Sequence, residues 1–231
     1  MPEITTLSQK TYYADYCFAD PFGATPDVIL IQHGYGRSSN FWYHWIPEIA
    51  TKYRVIIRDL RGHGRSSAPS RDSYNWSLGT MLAEIIDMLD LLNIEKVHFV
   101  GESTSGMLGV ALAVKYSHRL HSLIMSSSPS HLPPKVTNFL AVGMQSWPYA
   151  VRILGGEGWA RELAKLPGTG ARKDDKAYLD WWFSEVGKSP AYGLEQYAIF
   201  LEALDVRDVL EEVKVPTLIL APTQSSASPV E

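Results

Sequence analysis

The 231-residue chain predicts an α/β fold built on a mostly parallel sheet with helices on both faces. Three observations carry that prediction. Continuous apolar runs at 26–32, 53–59 and 96–100 have the character of strands buried on both sides. Each run ends in a tight loop rich in glycine. Between the second and third, residues 77–93 repeat apolar side chains at three- and four-residue spacing, the signature of a helix lying on a sheet. Strand, helix and strand in such short order require right-handed parallel crossovers.

Taken in order, Thr11 to Phe18 alternates around aromatic residues and predicts an early, half-exposed antiparallel strand. The run from Pro26 to Gln32 stops at His33-Gly-Tyr-Gly36, where two glycines let the backbone turn with its amides free. Ser38-Ser-Asn40 offers an N-cap for a helix through about Thr51. Tyr53 to Asp59 is the second buried strand, followed by Leu60-Arg-Gly-His-Gly-Arg-Ser66. The basic residues of this loop resemble a phosphate cradle, but no Gly-Lys-Ser/Thr follows, so Asp59, Arg61 and His63 read as a structural hydrogen-bonding cluster. In the helix at 77–93, Leu78, Met81, Leu82, Ile85, Ile86, Leu89 and Leu92 form the apolar face, with Glu84, Asp87 and Asp90 on the other.

The stretch from Lys96 to Val114 is the organising element. It reads as a strand, an abrupt turn with Ser103 at its apex, and a helix apolar on nearly every face. A hydroxyl at that apex stands above the end of the strand, and the first helical amide, that of Thr104, points to the same spot. This arrangement suits attack on a carbonyl and retention of the resulting oxyanion. A nucleophile in strained dihedrals needs small neighbours two residues away on either side, and Gly101 and Ser105 are those residues. His33, Asp59 and Ser103 all fall at carboxyl ends of strands, where parallel sheets bind ligands. His33 itself reads more readily as a ring bonded to loop backbone than as a catalytic base, and His118 and His121 fall at the opposite end of the next strand, 122–126.

Gly101-Glu-Ser103-Thr-Ser105-Gly106 resembles the nucleophile elbow of the α/β-hydrolase family, Gly-x-Ser-x-Gly, with Ser105 in place of the second glycine. His33-Gly34, Asp59-x-Arg61-Gly-His63-Gly-x-Ser66 and Val215-Pro-Thr resemble further family motifs, in the family's order. The resemblance implies Ser103 as nucleophile and the amides of Tyr35 and Thr104 as oxyanion hole, with Gly101, Ser105, Gly106, His33 and Gly34 shaping the turns. It also implies a helical cap at 129–192 inserted into a core of 1–128 and 193–231. Composition agrees, since no strand-like run appears between Ser128 and Val215, while Trp147, Trp159, Trp181 and Trp182 fall there. Tyr35, Trp147, Trp181 and Trp182 are the candidate pocket residues, with the cap's own core as the alternative use of these rings. A helix over 193–204 and a buried strand ending at Ala221 return the chain to the sheet.

The family's triad runs Ser, acid, His along the chain, yet none of the seven histidines lies beyond His131. Ser225 stands near the usual place of the acid, and Glu231 is close to it in sequence. A C-terminally truncated hydrolase is therefore expected. The implied reaction is cleavage of an apolar carboxylic ester or lactone, or a carbon–carbon bond, with no metal or organic cofactor. The alternative is a hydrolase-like protein that binds a ligand without turning it over.

The remaining totals narrow the classes. A net charge of -4 gives no electrostatic case for nucleic acid or an anionic membrane. The single cysteine, Cys17, allows neither an intrachain disulfide nor a cysteine-based zinc site. Met-Pro-Glu-Ile-Thr-Thr lacks the basic-then-apolar start of a secretory signal, so a cytoplasmic location is expected. The oligomeric state is left open, a homodimer included.

Overall fold

The computed structural model describes residues 3–169, 172 and 174–222. Seven strands form one sheet in the order β1-β2-β4-β3-β5-β6-β7. These are β1 (Glu3–Thr6), β2 (Gln9–Tyr16), β3 (Val28–Gln32), β4 (Arg54–Arg58), β5 (Val97–Glu102), β6 (Leu120–Ser126) and β7 (Thr217–Leu220). β1 and β2 are antiparallel to their neighbours, and β4, β3, β5, β6 and β7 run parallel to one another. The carboxyl ends of β3, β4 and β5 therefore share one rim, which carries His33, Asp59 and Ser103.

The helical period at 77–93 becomes α2 (Leu78–Leu91), with the Ser77 hydroxyl accepting from the Thr80 amide as N-cap. With α3 (Thr104–Lys115) it covers one face of the sheet, where Leu30, Ile56, Phe99, Met81, Ile85 and Leu108 form the main core. Burial of ten successive residues, Thr104 to Ala113, explains why α3 is apolar on every side. The other face holds a smaller cluster of Ile29, Ile31, Val55 and Ile57 under Ile46 of α1 (Ile46–Ile49). Between β6 and β7 lie α4 (Pro134–Leu140), α5 (Trp147–Lys165), α6 (Lys176–Gly187) and α7 (Ala191–Glu202). Among the described residues, no helix is long and apolar enough to cross a membrane.

Three expectations are corrected by the structure, and one strand is added. The helix after Ser38 is not continuous: a 3₁₀ turn at Ser39–Trp42 precedes the short α1, because the Ser38 hydroxyl donates to Glu185 instead of capping. β1, absent from the sequence reading, pairs with β2 as a hairpin whose turn places Leu7 and Ser8 at positive φ. Within α5 the backbone leaves the helical region at Gly155, φ 69°, and the helix kinks there. β7 is exposed at all four positions rather than buried, having only β6 beside it in the described sheet. Finally, Glu84 does not face water with Asp87 and Asp90.

Glu84 is fully buried and bonds Arg61, itself 1% exposed, through Oε1 at 2.8 Å from Nε and 2.6 Å from Nη2. Arg61 also donates to the Lys10 carbonyl at 2.6 Å and the Thr11 hydroxyl at 2.7 Å, joining β2 to the loop after β4 and to α2. The carboxylate is available to this buried guanidinium because the helix turns that position inward. Replacing Glu84 with Leu strands a buried cation, so a loss of about 3–5 kcal/mol in unfolding free energy is expected, read from urea denaturation followed by circular dichroism.

Candidate active site

β5 enters the turn at Glu102 and α3 leaves it at Thr104, so Ser103 alone makes the reversal, with φ 53° and ψ -128°. That region is unfavourable for a residue with a Cβ and persists only where the surroundings impose it. They do so from two sides. A Cβ on Gly101 would lie 2.6 Å from the Ser105 carbonyl oxygen, and one on Gly34 would lie 2.8 Å from Ser103 Cβ. The Ser103 amide donates to the Ser126 carbonyl at 2.8 Å, anchoring the turn to β6. Gly106 packs against Ser128, whose hydroxyl donates to the Gly101 carbonyl at 3.3 Å.

The His33–Gly36 loop is bonded across this turn. Ser105, where the family pattern has glycine, donates its buried hydroxyl to the His33 carbonyl at 2.6 Å. Glu102 Oε2 accepts from the Gly34 amide over 3.5 Å, while its Oε1 pairs with Arg37 Nε at 3.1 Å. The His33 ring accepts the Leu60 amide at Nε2 (3.0 Å), which leaves the proton on Nδ1, donated to the Gly34 carbonyl at 2.8 Å. That carbonyl belongs to the same peptide plane as the Tyr35 amide. His33 is thus a ring bonded to loop backbone, as the sequence reading has it, and it fixes the peptide plane that carries the Tyr35 N–H.

Asp59 holds the rim together. Its Oδ1 accepts from the Ser39 amide at 2.7 Å, its Oδ2 from the Arg65 amide at 2.9 Å, and its carbonyl from the Ser66 hydroxyl at 2.7 Å. With Arg61 on Glu84 and His63 Nδ1 on the Arg61 carbonyl, the loop is structural, as expected.

Over Ser103 lies a cavity of about 240 Å³, lined by Gly34, Tyr35, Thr104, Trp147, Trp159 and Trp182 among others. The Tyr35 side chain turns away under the helices, its hydroxyl donating to the Leu194 carbonyl at 3.0 Å and its ring edge-on to Trp147 at 4.4 Å. Burial raises its phenol pKa well above the usual value. Trp181 is not among the lining residues; it packs on Phe41 at 4.8 Å and Tyr43 at 5.7 Å, outside the cavity. Two kinds of lining residue went unread in the sequence. Leu132, Val136, Leu140 and Leu163 supply apolar wall, and the four-residue spacing of Trp159 and Leu163 along α5 was the available signal. Arg37 supplies a charged edge with Glu102, the residue next to Ser103; their pairing crosses two loops, so Arg37 left no signal in the sequence.

Among the described residues, no histidine lines the cavity. His33 has both ring nitrogens engaged, and His118 and His121 sit at the start of β6, away from the turn. Among the described residues, no group of three or more histidine, cysteine or acidic side chains is arranged to hold a metal ion. Ser225 and Glu231 lie outside the described residues.

The α/β-hydrolase fold model matches residues 27–230, nearly the whole chain. The chain belongs to this family. It is 31% identical over 210 residues to a pimeloyl-[acyl-carrier protein] methyl ester esterase of Aeromonas hydrophila, covering 85% of this chain and 76% of that one. It is 26% identical over 219 residues to 3-oxoadipate enol-lactonase 1 of Acinetobacter baylyi, covering 88% and 72%. Among solved structures, a thermophilic esterase from Thermogutta terrifontis superposes with a TM-score of 0.80 at 22% identity, over 99% of this chain and 82% of that one. An enol-lactonase from Burkholderia xenovorans gives 0.77 at 20%, over 96% and 81%. The α/β-hydrolase chain is thus an enzyme of the hydrolase class.

The two buried histidines of the rim give this hydrolase a pH signature. Burial lowers the pKa of both, that of His63 from 6.5 to about 3. As pH falls through the ordinary value the unfolded chain takes up protons that the folded chain refuses, so stability falls with pH, by about 1.4 kcal/mol per unit for His63, and in the same direction for His33. The urea midpoint is expected to drop between about pH 7 and 5, and to drop less steeply in His63→Gln.

Proposed function

We propose that the protein hydrolyses carboxylic esters or lactones through an acyl-enzyme on Ser103. The observation that carries this reading is the strained Ser103 backbone at φ 53°, set at the cavity with the Gly34 backbone pressed against its Cβ. A structural serine has no need of that conformation, whereas a nucleophile presented to a substrate does. The ester and lactone hydrolases named among its relatives support the same bond type.

In this reading Ser103 Oγ attacks the acyl carbon, and the amides of Tyr35 and Thr104 receive the developing oxyanion. Each such donor is worth about 3 kcal/mol of barrier. Thr104 offers its amide because the first N–H groups of α3 have no partner within the helix. His33 preorganises the Tyr35 donor, and its depressed pKa keeps the ring neutral, so its proton stays on Nδ1. The acyl–oxygen bond then breaks and its oxygen takes up the proton removed from Ser103, the alcohol of an ester leaving and that of a lactone staying on the acyl chain; water then releases the acyl group from Ser103. A base must take the Ser103 proton, and among the described residues that line the cavity it is not a histidine. Trp147, Trp159, Trp182 and the leucines around them favour an apolar acyl portion. The same route would extend to carbon–carbon cleavage, where Ser103 adds to a ketone and a stabilised carbanion departs in place of the alcohol.

A fluorophosphonate probe followed by peptide mass spectrometry is expected to modify Ser103 and no other residue. Ser103→Ala should abolish the label and lower turnover of p-nitrophenyl butyrate by roughly a thousandfold or more. Turnover that survives the substitution, or a label on another residue, would overturn the assignment.

A further inference from the structure

Beneath the rim, polar side chains from β3, β4, α2 and α7 meet in a region where they do not satisfy one another. Gln32 Oε1 accepts from Arg58 Nε at 2.9 Å, and Glu84 Oε1 is taken by Arg61. Five buried atoms are left over: Gln32 Nε2, Arg58 Nη2, the Tyr197 hydroxyl, Glu84 Oε2 and His63 Nε2. Gln32, Arg58, Glu84, His63 and Tyr197 are each at most 1% exposed, so bulk solvent does not reach them. They are linked in pairs: Gln32 to Arg58, Arg58 to Glu84, and His63 to Tyr197. Arg58 Nη1 stands 3.9 Å from Glu84 Oε2, the His63 and Tyr197 rings meet edge to face at 4.9 Å, and Arg58 and Glu84 both act on the ionisation of Tyr197.

Charge and donor count together identify what belongs between them. Arg58 and Arg61 share one buried carboxylate, Glu84, because Asp59 is bonded to Arg65 and the Ser39 amide. Burial and the neighbouring Arg61 depress the Arg58 pKa, with Glu84 opposing. Arg58 Nη2 and Gln32 Nε2 can only donate. Glu84 Oε2 can only accept, and so can His63 Nε2, since His63 Nδ1 donates to the Arg61 carbonyl at 3.1 Å. A small anion would suit the donors alone and would face the Glu84 charge. Water both donates and accepts, and buried polar atoms without a protein partner are ordinarily joined by it.

We propose that ordered internal water molecules occupy this polar core and bridge Arg58 and Gln32 to Glu84, His63 and the Tyr197 hydroxyl. The bridge ties α7 to the sheet. Because α7 also carries the Leu194 carbonyl that holds the Tyr35 hydroxyl, the water site is part of what seats the helices over the Ser103 loop.

The test is a high-resolution crystal structure of the full chain grown with bromide, with anomalous data at the bromine edge. Water density within hydrogen-bonding distance of Arg58 Nη2, Glu84 Oε2 and the Tyr197 hydroxyl, with no bromine peak there, is the expected result. A bromine peak would assign the site to an anion, and a dry map would remove it; either overturns the proposal. Tyr197→Phe is expected to lower the melting temperature by about 2–4 °C and to lose one of the waters. An unchanged or raised melting temperature counts against the bridge to α7.

Discussion

The structure depends on the close approach of the His33–Gly36 loop to the Ser103 turn. Two backbone segments from neighbouring strands come near enough that a single methyl on Gly34 would overlap Ser103 Cβ, 2.8 Å away. Such proximity strips both segments of water, so every polar group along them needs a partner from the protein. The His33 carbonyl finds Ser105, the Gly34 amide finds Glu102, and the Gly34 carbonyl finds the His33 ring. Tyr35 and Thr104, whose amides are the oxyanion donors of the proposed reaction, both line the cavity. Holding a loop through its other hydrogen bonds is a route to a preorganised electrostatic site.

Support for that loop comes from a polar layer one shell deeper. Asp59 gathers the Ser39 and Arg65 amides, and Arg61 gathers β2, the following loop and α2. Burying two guanidinium groups against one carboxylate is costly in a hydrophobic core. The arrangement is tolerable here because the sheet rim is where backbone carbonyls and loop amides are dense. What it gives in return is direction: Leu60 can deliver its amide to His33 only while the loop after β4 keeps its path.

The four helices between β6 and β7 contribute shape more than charge. α5 packs chiefly on α7 and α6, and the kink at Gly155 separates its Trp147 end from its Trp159 end. Both rings reach the cavity, and Tyr35 fills the space between them at 4.4 Å and 5.4 Å. Tyr35 therefore belongs to the loop beside Ser103 through its backbone and to the helices through its ring, coupling the two.

Much of this was legible in the sequence, and the reasons are local. The β3, β4 and β5 runs, the α2 period and the Ser103 turn each announce themselves through neighbours in the chain, because burial on both faces, a helical stripe and a tight reversal all leave short-range patterns. Glu84 was misplaced by the same logic: helical spacing assigned it to the polar side, and only Arg61, twenty-three residues away, makes the inward position favourable. Trp181 likewise shares its composition with Trp182, while a rotation of one residue along α6 sends it to Phe41 instead of the cavity. The exposure of β7 was hidden because an apolar strand looks the same whether or not a neighbour covers it. The sequence by itself determined the α/β class, the strand-end loops and the Ser103 turn, since those rest on periodicity and on glycine placed where a side chain cannot fit. Which side chains line the cavity, and which charges meet in the interior, only the tertiary structure decided, because those contacts join segments distant along the chain and no local rule constrains them.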